Sequence, residues 1–205
     1  MDQDPAIAQL QAEVAQLREE ARVARDWTEI ANLQAMYGYY VDKGLWDKAA
    51  DLFALEGTLE IAGRGVYVGR ERVRAYLHAL PPYERGALFN HMQLQPVIHV
   101  EGDTAKARWR TFIQIAWLGG VARWGEATYE NSYVREDGAW RIASLHGFIT
   151  FYCEYDKGLN EGGIPLLRKI DGLKPDLPPT IEYEAFPEVF VPPFHYGDQA
   201  AEAGA

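Results

Sequence analysis

Apolar residues recur at alternating spacings of three and four through the first part of the chain. The members of this heptad seam are Ile7, Leu10, Val14, Leu17, Ala21 and Ala24. The seam predicts an amphipathic helical extension over residues 1–25. About two and a half heptads are too few for an independent coiled coil, so the helix packs either on its own subunit or against another copy.

Three further helical segments and a small hairpin follow. Asp26 and Glu29 have the spacing of a capping box, which predicts a helix start there. Gly44 interrupts this helix, and Pro81 with Pro82 ends the last one. The predicted helices cover residues 27–41, 46–53 and 70–80, and the hairpin pairs residues 58–61 with 66–68.

Four long strand-like stretches joined by tight turns come next. They cover residues 88–100, 104–118, 122–135 and 139–152. Helices that precede an antiparallel meander predict an α+β fold with the helices on one face of the sheet. Strands of this length make the sheet curl and enclose a pocket against the helices.

The sequence is thus divided into a helical extension, one domain over residues 26–152 and an arm over residues 153–205. The arm is rich in proline and aromatic residues, which predicts an extended segment that wraps its own domain or a neighbour. Residues 198–205 are expected to be disordered.

Composition narrows the function classes. The chain has 205 residues, 20 basic and 30 acidic, and its net charge of −10 argues against nucleic acid and anionic membranes as partners. A lone cysteine, Cys153, excludes an intrachain disulfide and a cysteine-rich zinc site. Neither a membrane-length apolar run nor a secretory signal pattern is present, so a cytoplasmic location is expected. No motif for a metal, flavin, nicotinamide or phosphate group is found, and no cofactor is expected.

Two ionisable residues fall where the pocket is expected. Asp42 ends the helix that begins near residue 27, and His91 lies near the start of the first long strand. A carboxylate that fixes the tautomer of an imidazole makes it a general base. The alternatives are a turn residue at the helix end and a half-buried strand histidine.

An ordered set of short motifs resembles a known family. The set consists of Tyr37 and Asp42, Leu45-Trp46-Asp47, Ala50-Asp51-Leu52-Phe53, the stretch from Gly63 to Arg70, His91, Glu101-Gly102-Asp103-Thr104-Ala105, and the stretch from Asp137 to Ile142. Over residues 26–152 the chain resembles a SnoaL-like member of the nuclear transport factor 2 (NTF2) superfamily. The resemblance implies a cone-shaped α+β barrel, a curved antiparallel sheet packed on three helices. Family enzymes include scytalone dehydratase, hexachlorocyclohexane dehydrochlorinase, bile-acid 7α-dehydratase and cofactor-free diarylpropane lyases.

The resemblance also assigns candidate site residues. Asp42 and His91 match the catalytic dyad, and Tyr37 matches a pocket tyrosine or lysine, although plain core packing is the alternative. His146 shares strand parity with residues 140, 142, 144 and 148, which predicts that it points inward, as a leaving-group residue or as a satisfied core histidine. The expected substrate-binding residues are Tyr40, Trp117, Tyr129, Asn131 and Phe148. Which face of the sheet lines the pocket stays open, since Arg123, Tyr129 and Asn131 share one face of the third long strand and Trp124, Glu126 and Thr128 share the other.

The family implies a cofactor-independent lyase that acts on a hydrophobic, aromatic small molecule such as a lignin-derived diaryl compound. His91, oriented by Asp42, removes a proton, and a group leaves by β-elimination, dehydration or retro-aldol loss of formaldehyde. The alternatives are an isomerase or cyclase of a polycyclic substrate and a non-catalytic ligand-binding or assembly module. Several family members are trimers, so the resemblance implies that this chain forms a homotrimer.

Overall fold

A helix of 38 residues, α1 (Pro5–Asp42), begins the computed structural model, which describes residues 5–196. The remaining helices and short strands of the first half are α2 (Trp46–Ala50), β1 (Phe53–Ile61), β2 (Val66–Val68) and α3 (Arg70–His78). The long strands are β3 (Ala87–Glu101), β4 (Thr104–Trp117), β5 (Ala122–Glu136) and β6 (Ala139–Glu154), followed by a 3₁₀ turn, Leu159–Glu161. The chain reverses after α1 at Gly44, whose φ of +62° favours glycine.

The six strands form one curved, unclosed sheet in the order β2-β1-β6-β5-β4-β3. All neighbours are antiparallel except β1 and β6, which run parallel. The helices pack on the concave face, where the main core is buried. Its largest members include Ile30, Tyr67, Tyr133, Ile142 and Leu145. The predicted α+β cone is therefore confirmed.

The predicted helix start at Asp26 is wrong, because α1 runs through this position without interruption. Asp26 is buried, and its carboxylate accepts hydrogen bonds from Arg135 of β5, from Trp140 of β6 and from Arg22 one turn away. Burial opposes its ionisation, yet the Arg135 and Trp140 donors hold the pKa of Asp26 below its ordinary value. This aspartate fastens α1 to the sheet rather than capping a helix.

The inward prediction for His146 and Phe148 is also wrong, because β6 contains a bulge. Tyr133 of β5 pairs with Ile142, while the adjacent Ser132 pairs with Ser144, which leaves one extra residue between them. Such a residue reverses the alternation of side chains. Leu145 therefore follows Ile142 on the concave face, and His146 and Phe148 lie on the convex face.

The carboxy-terminal arm wraps its own domain, one of the two predicted alternatives. Residues 164–171 form part of the wall of the internal cavity. Farther on, Leu177 pairs with Val66 of β2, and the Tyr183 hydroxyl accepts a 2.7 Å hydrogen bond from the backbone N–H of Ile149. The described end of the arm crosses the convex face, where Arg108 donates to the carbonyl oxygens of residues 192 and 193. The predicted disorder of residues 198–205 lies outside the described residues.

No helix within residues 5–196 has an apolar stretch long enough to cross a membrane.

Candidate functional site

Asp42 and His91, the two residues predicted to form a dyad, lie in direct contact. Asp42 Oδ1 is 2.9 Å from Nδ1 of His91 and also accepts a 2.8 Å hydrogen bond from the backbone N–H of His91. The carboxylate is buried, while the imidazole is 17% exposed and lines the cavity. Because the carboxylate accepts from Nδ1, the neutral ring carries its proton there and Nε2 is left as a base.

The close approach of α1 to β3 brings the two residues together. A Cβ at Gly38 would lie 2.8 Å from Gln93 Cγ and 3.1 Å from the carbonyl oxygen of His91, so only glycine allows this spacing. The Gln93 amide donates to that carbonyl at 2.9 Å and accepts a 2.8 Å hydrogen bond from Gln34 of α1. The dyad is thus supported by backbone contact and by a polar network behind it.

The network continues into the core through Asn131. Its amide donates to Gln34 Oε1 at 3.1 Å, and the Tyr133 hydroxyl donates to the same oxygen at 2.8 Å. Trp109 in turn donates to the Tyr133 hydroxyl at 2.9 Å. Asn131 therefore holds α1 on the sheet and does not line the cavity. Sequence reasoning missed Gln34 and Gln93, whose only signal was a polar residue at a core-facing position.

The cavity has a volume of about 590 Å³ and lies between the helices, the concave face and the arm. Apolar and aromatic side chains form most of its wall. The lining residues used below are Tyr37, Trp46, Arg64, Tyr76, Trp117, Arg123, Tyr129 and Tyr152. Three of the predicted site residues besides His91 therefore line it, namely Tyr37, Trp117 and Tyr129.

Three buried tyrosines keep their protons in this cavity. Burial raises the pKa of Tyr37 and of Tyr129 well above the ordinary value. It raises the pKa of Tyr152 to about 12. At neutral pH these phenols are donors, suited to a leaving group or a carbonyl oxygen, and they do not serve as bases.

Besides Asn131, three predicted site residues lie outside the cavity. Tyr40 packs against the core at the helix end, with Lys48 Nζ 5.9 Å from its ring centroid. On the convex face Phe148 is covered by Tyr183 and Phe190 of the arm. His146 stacks on Phe148 with ring centroids 3.9 Å apart, and burial lowers its pKa to about 4. It is a neutral packing residue and not part of the cavity.

Sequence comparison places most of this architecture in one family. A sequence profile described as the SnoaL-like domain matches residues 22–146. No curated protein sequence matches the chain.

Solved structures share the fold at low sequence identity. An NTF2-like protein with a cystatin-like fold from Novosphingobium aromaticivorans is 21% identical over 70% of this chain and 91% of its own, with a TM-score of 0.56. The type 2 hexachlorocyclohexane dehydrochlorinase LinA is 19% identical over 64% and 89%, with a TM-score of 0.57. ActVI-ORFA from Streptomyces coelicolor is 14% identical over 60% and 96%, with a TM-score of 0.54.

Proposed function

Since the chain belongs to the SnoaL-like family, we propose that it is a cofactor-independent lyase with His91 as its general base. The observation that carries this proposal is the 2.9 Å contact between Asp42 and the Nδ1 of His91 at the wall of the cavity. The contact leaves Nε2 free to accept a proton from a bound molecule. The Asp42 carboxylate stabilises the imidazolium that results.

The reaction is an elimination in two proton movements. Nε2 of His91 takes a proton from the substrate. From a C–H bond, the released electron pair forms a C=C bond and expels a leaving group from the neighbouring carbon. From a hydroxymethyl O–H, the released pair forms the C=O of formaldehyde, and the pair of the broken C–C bond forms a C=C bond and expels the leaving group from the next carbon. Tyr37 is the proton or hydrogen-bond donor to that group, because burial keeps its phenol protonated. Dehydration, loss of a hydrogen halide and retro-aldol loss of formaldehyde all follow this scheme.

The lining of the cavity favours a flat aromatic substrate. Trp46, Trp117 and Tyr129 present rings to the interior, and the volume of about 590 Å³ falls within the range of small-molecule sites. A lignin-derived diaryl compound fits this description. The dehydrochlorinase among the structural neighbours supports elimination as the reaction class.

A substrate panel with a mass readout tests the proposal. Diaryl, steroid and polyketide compounds are incubated with the protein, and loss of water, hydrogen halide or formaldehyde is followed by mass spectrometry. Unchanged mass with altered retention would instead support the isomerase or cyclase alternative. His91→Ala is expected to lower turnover by roughly 10²- to 10⁴-fold without a large change in thermal stability.

The matched control is His78→Ala. His78 lies outside the cavity, is half-exposed and pairs with Asp47 at 3.0 Å, so its loss should leave turnover unchanged. An active His91→Ala variant would exclude the dyad mechanism.

A further inference from the structure

Two arginines line the cavity without a carboxylate partner. Arg64 follows β1 in the turn before β2, and its Nη1 donates to the Tyr76 hydroxyl at 2.5 Å. Arg123 lies on the concave face of β5. The Nε atoms of both are buried and have no hydrogen-bond partner, and neither arginine forms an ion pair within residues 5–196.

Both side chains are half-buried, and a buried guanidinium N–H that has neither a hydrogen-bond partner nor a counterion is energetically costly. Eight other described arginines form ion pairs with carboxylates, as Arg74 does with Asp47. Arg64 and Arg123 instead face a space lined mostly by apolar groups and by neutral tyrosines. The one carboxylate among the described lining residues is Asp171, whose side chain is 95% exposed and lies 3.8 Å from Lys169. The missing counterion is therefore expected to come with the ligand, because a guanidinium binds carboxylates and other anionic oxygens through its fixed fork of donors.

The two arginines lie across the cavity from the dyad. On β4, Ile113 pairs with His91 of β3, and Ile115 pairs with Arg123 of β5. His91 and Arg123 are therefore two strand spacings apart across the sheet and two residues apart along the strands. These spacings correspond to roughly 12 Å between the Cα atoms. Arg64 follows β1, which three strands separate from β3 in the sheet.

We propose that Arg64 and Arg123 form an anion subsite, so that the substrate is an aromatic molecule with an anionic oxygen group remote from its reacting carbon. The group is a carboxylate or a phenolate. The inference rests on the proposed function only in placing the substrate in this cavity, and its test needs no turnover.

Calorimetric titration with 3-phenylpropanoate and its neutral isostere 3-phenylpropanamide tests the subsite. We expect the wild-type protein to bind the carboxylate at least about tenfold more tightly than the amide. Arg64→Gln and Arg123→Gln should each bring the two affinities together, and Arg64→Lys should keep part of the preference. Equal affinities in the wild-type protein would exclude carboxylates as the bound group, and a carboxylate preference that is unchanged in both glutamine variants would overturn the proposal.

Absorption of 4-nitrophenol separates the two anionic groups. A shift toward the phenolate form on binding to wild-type protein, lost in Arg64→Gln, assigns the subsite to phenolates. A carboxylate preference without that shift assigns it to carboxylates, and absence of both results overturns it.

Two controls isolate the arginines. Lys169 is a lining residue whose side chain is 80% exposed and lies 3.8 Å from Asp171, so Lys169→Gln should keep the carboxylate preference. His91→Ala should keep it as well. If His91→Ala loses turnover but still binds the carboxylate more tightly than the amide, the subsite acts independently of the dyad. If the subsite proposal fails, the test of the dyad by His91→Ala turnover still stands.

A different observation supports a second proposal, on the amino-terminal part of α1. Ile7, Leu10, Val14 and Leu17 are between 45% and 63% exposed. Successive residues of a helix are rotated by about 100° around its axis, so these four side chains lie on the side of α1 roughly opposite to the buried stripe. That stripe begins at Ile30 and packs on the sheet. A continuous helix cannot turn both stripes toward its own domain, so this seam requires another molecule.

The residue types of the seam specify a parallel copy of the same helix. Ile7 and Val14 occupy the first core position of the heptad and Leu10 and Leu17 the second, the arrangement that favours two parallel strands. The flanking positions carry Glu13 and Glu20 on one side and Arg18 and Arg25 on the other. In a parallel register each glutamate faces the arginine five residues later in the partner, whereas an antiparallel register places like charges together.

We infer that α1 pairs with α1 of a second copy in a parallel, in-register seam. Leu10→Cys provides the test, because the only native cysteine, Cys153, is buried. Mild oxidation should convert Leu10→Cys fully into covalent dimers, whereas Ala12→Cys, on the opposite side of the helix, should remain monomeric on a denaturing gel. A yield limited to two-thirds would indicate a three-stranded seam and overturn the two-stranded pairing. Equal cross-linking of both variants, or of neither, would overturn the seam altogether.

Discussion

Replacement of Gly38 by alanine tests whether the dyad depends on the close approach of α1 to β3. The added Cβ would lie 2.8 Å from Gln93 Cγ and 3.1 Å from the carbonyl oxygen of His91. Ordinary van der Waals contact begins at 3.4 Å, so helix and strand must separate by about 0.3 to 0.6 Å. The backbone contact cannot be relieved by a side-chain rotation, because a carbonyl oxygen of β3 forms it.

The separation reaches the dyad directly. Asp42 lies one turn beyond Gly38, and its Oδ1 makes contacts of 2.8 and 2.9 Å with the backbone and ring of His91. Lengthening by the same amount brings both contacts to about 3.1 to 3.5 Å, the limit of useful hydrogen bonding. Misplacement on this scale is expected to lower turnover by about 10- to 100-fold. The free energy of unfolding should fall by no more than about 2 kcal/mol, because alanine gains about 1 kcal/mol of helix propensity against an overpacking cost of about 1–3 kcal/mol.

Nuclear magnetic resonance of ¹⁵N-labelled histidine measures the contact without a substrate. In the wild-type protein we expect a protected Nδ1–H signal from His91, hydrogen-bonded to Asp42. The signal should weaken or vanish in Gly38→Ala and remain in Met36→Ala, an exposed position on the same helix. A Gly38→Ala protein that keeps both the signal and full turnover would show that helix spacing does not set the dyad.

Three further predictions concern stability. Burial lowers the pKa of His146 from 6.5 to about 4, so between these pH values the unfolded chain binds a proton that the folded chain does not. The free energy of unfolding should therefore fall as the pH drops from 6.5 to 4. Urea titration of His146→Phe should show a loss that is smaller by up to about 3 kcal/mol. Equal slopes would contradict it. Tyr183→Phe leaves the buried N–H of Ile149 unpaired and should cost about 1–3 kcal/mol in urea, with no loss contradicting an anchoring role. Arg135→Met removes a partner of buried Asp26 and should cost about 3–5 kcal/mol at pH 7, less at a pH that protonates Asp26, and a pH-independent cost would refute the charge argument.

The sequence predicts the strands and helices well because their signals are local. Alternating side chains, tight turns and prolines place β3 to β6 within a few residues of their observed bounds. The dyad was also predictable, since the motif order of the family placed Asp42 and His91 in equivalent positions. The arrangement of α1 was less so: the Asp26–Glu29 pair satisfies a capping pattern, but Asp26 accepts hydrogen bonds from β5 and β6 instead. Hydrogen bonds to residues far along the chain cannot be predicted from the local sequence around Asp26.

Arg64 and the network glutamines, Gln34 and Gln93, escaped prediction for a related reason. Arg64 lies in a turn next to Gly63 and Gly65, where a charged residue is ordinarily solvated. It faces the cavity because residues 164–171 of the arm return over this region, about one hundred residues later in the chain. Only the tertiary fold places Arg64 in the wall of the cavity.

The irregularities of β6 determine which chemistry reaches the cavity. The bulge after Ile142 turns His146 to the convex face, and a second shift between Ile149 and Phe151 lets both Ile149 and Tyr152 face inward. The strand thus contributes an aliphatic side chain and a neutral phenol where regular alternation would have placed an imidazole. His91 is then the only histidine among the described residues that line the cavity. The buried phenols keep their protons at neutral pH, so in the proposed mechanism the proton from the substrate goes to this imidazole.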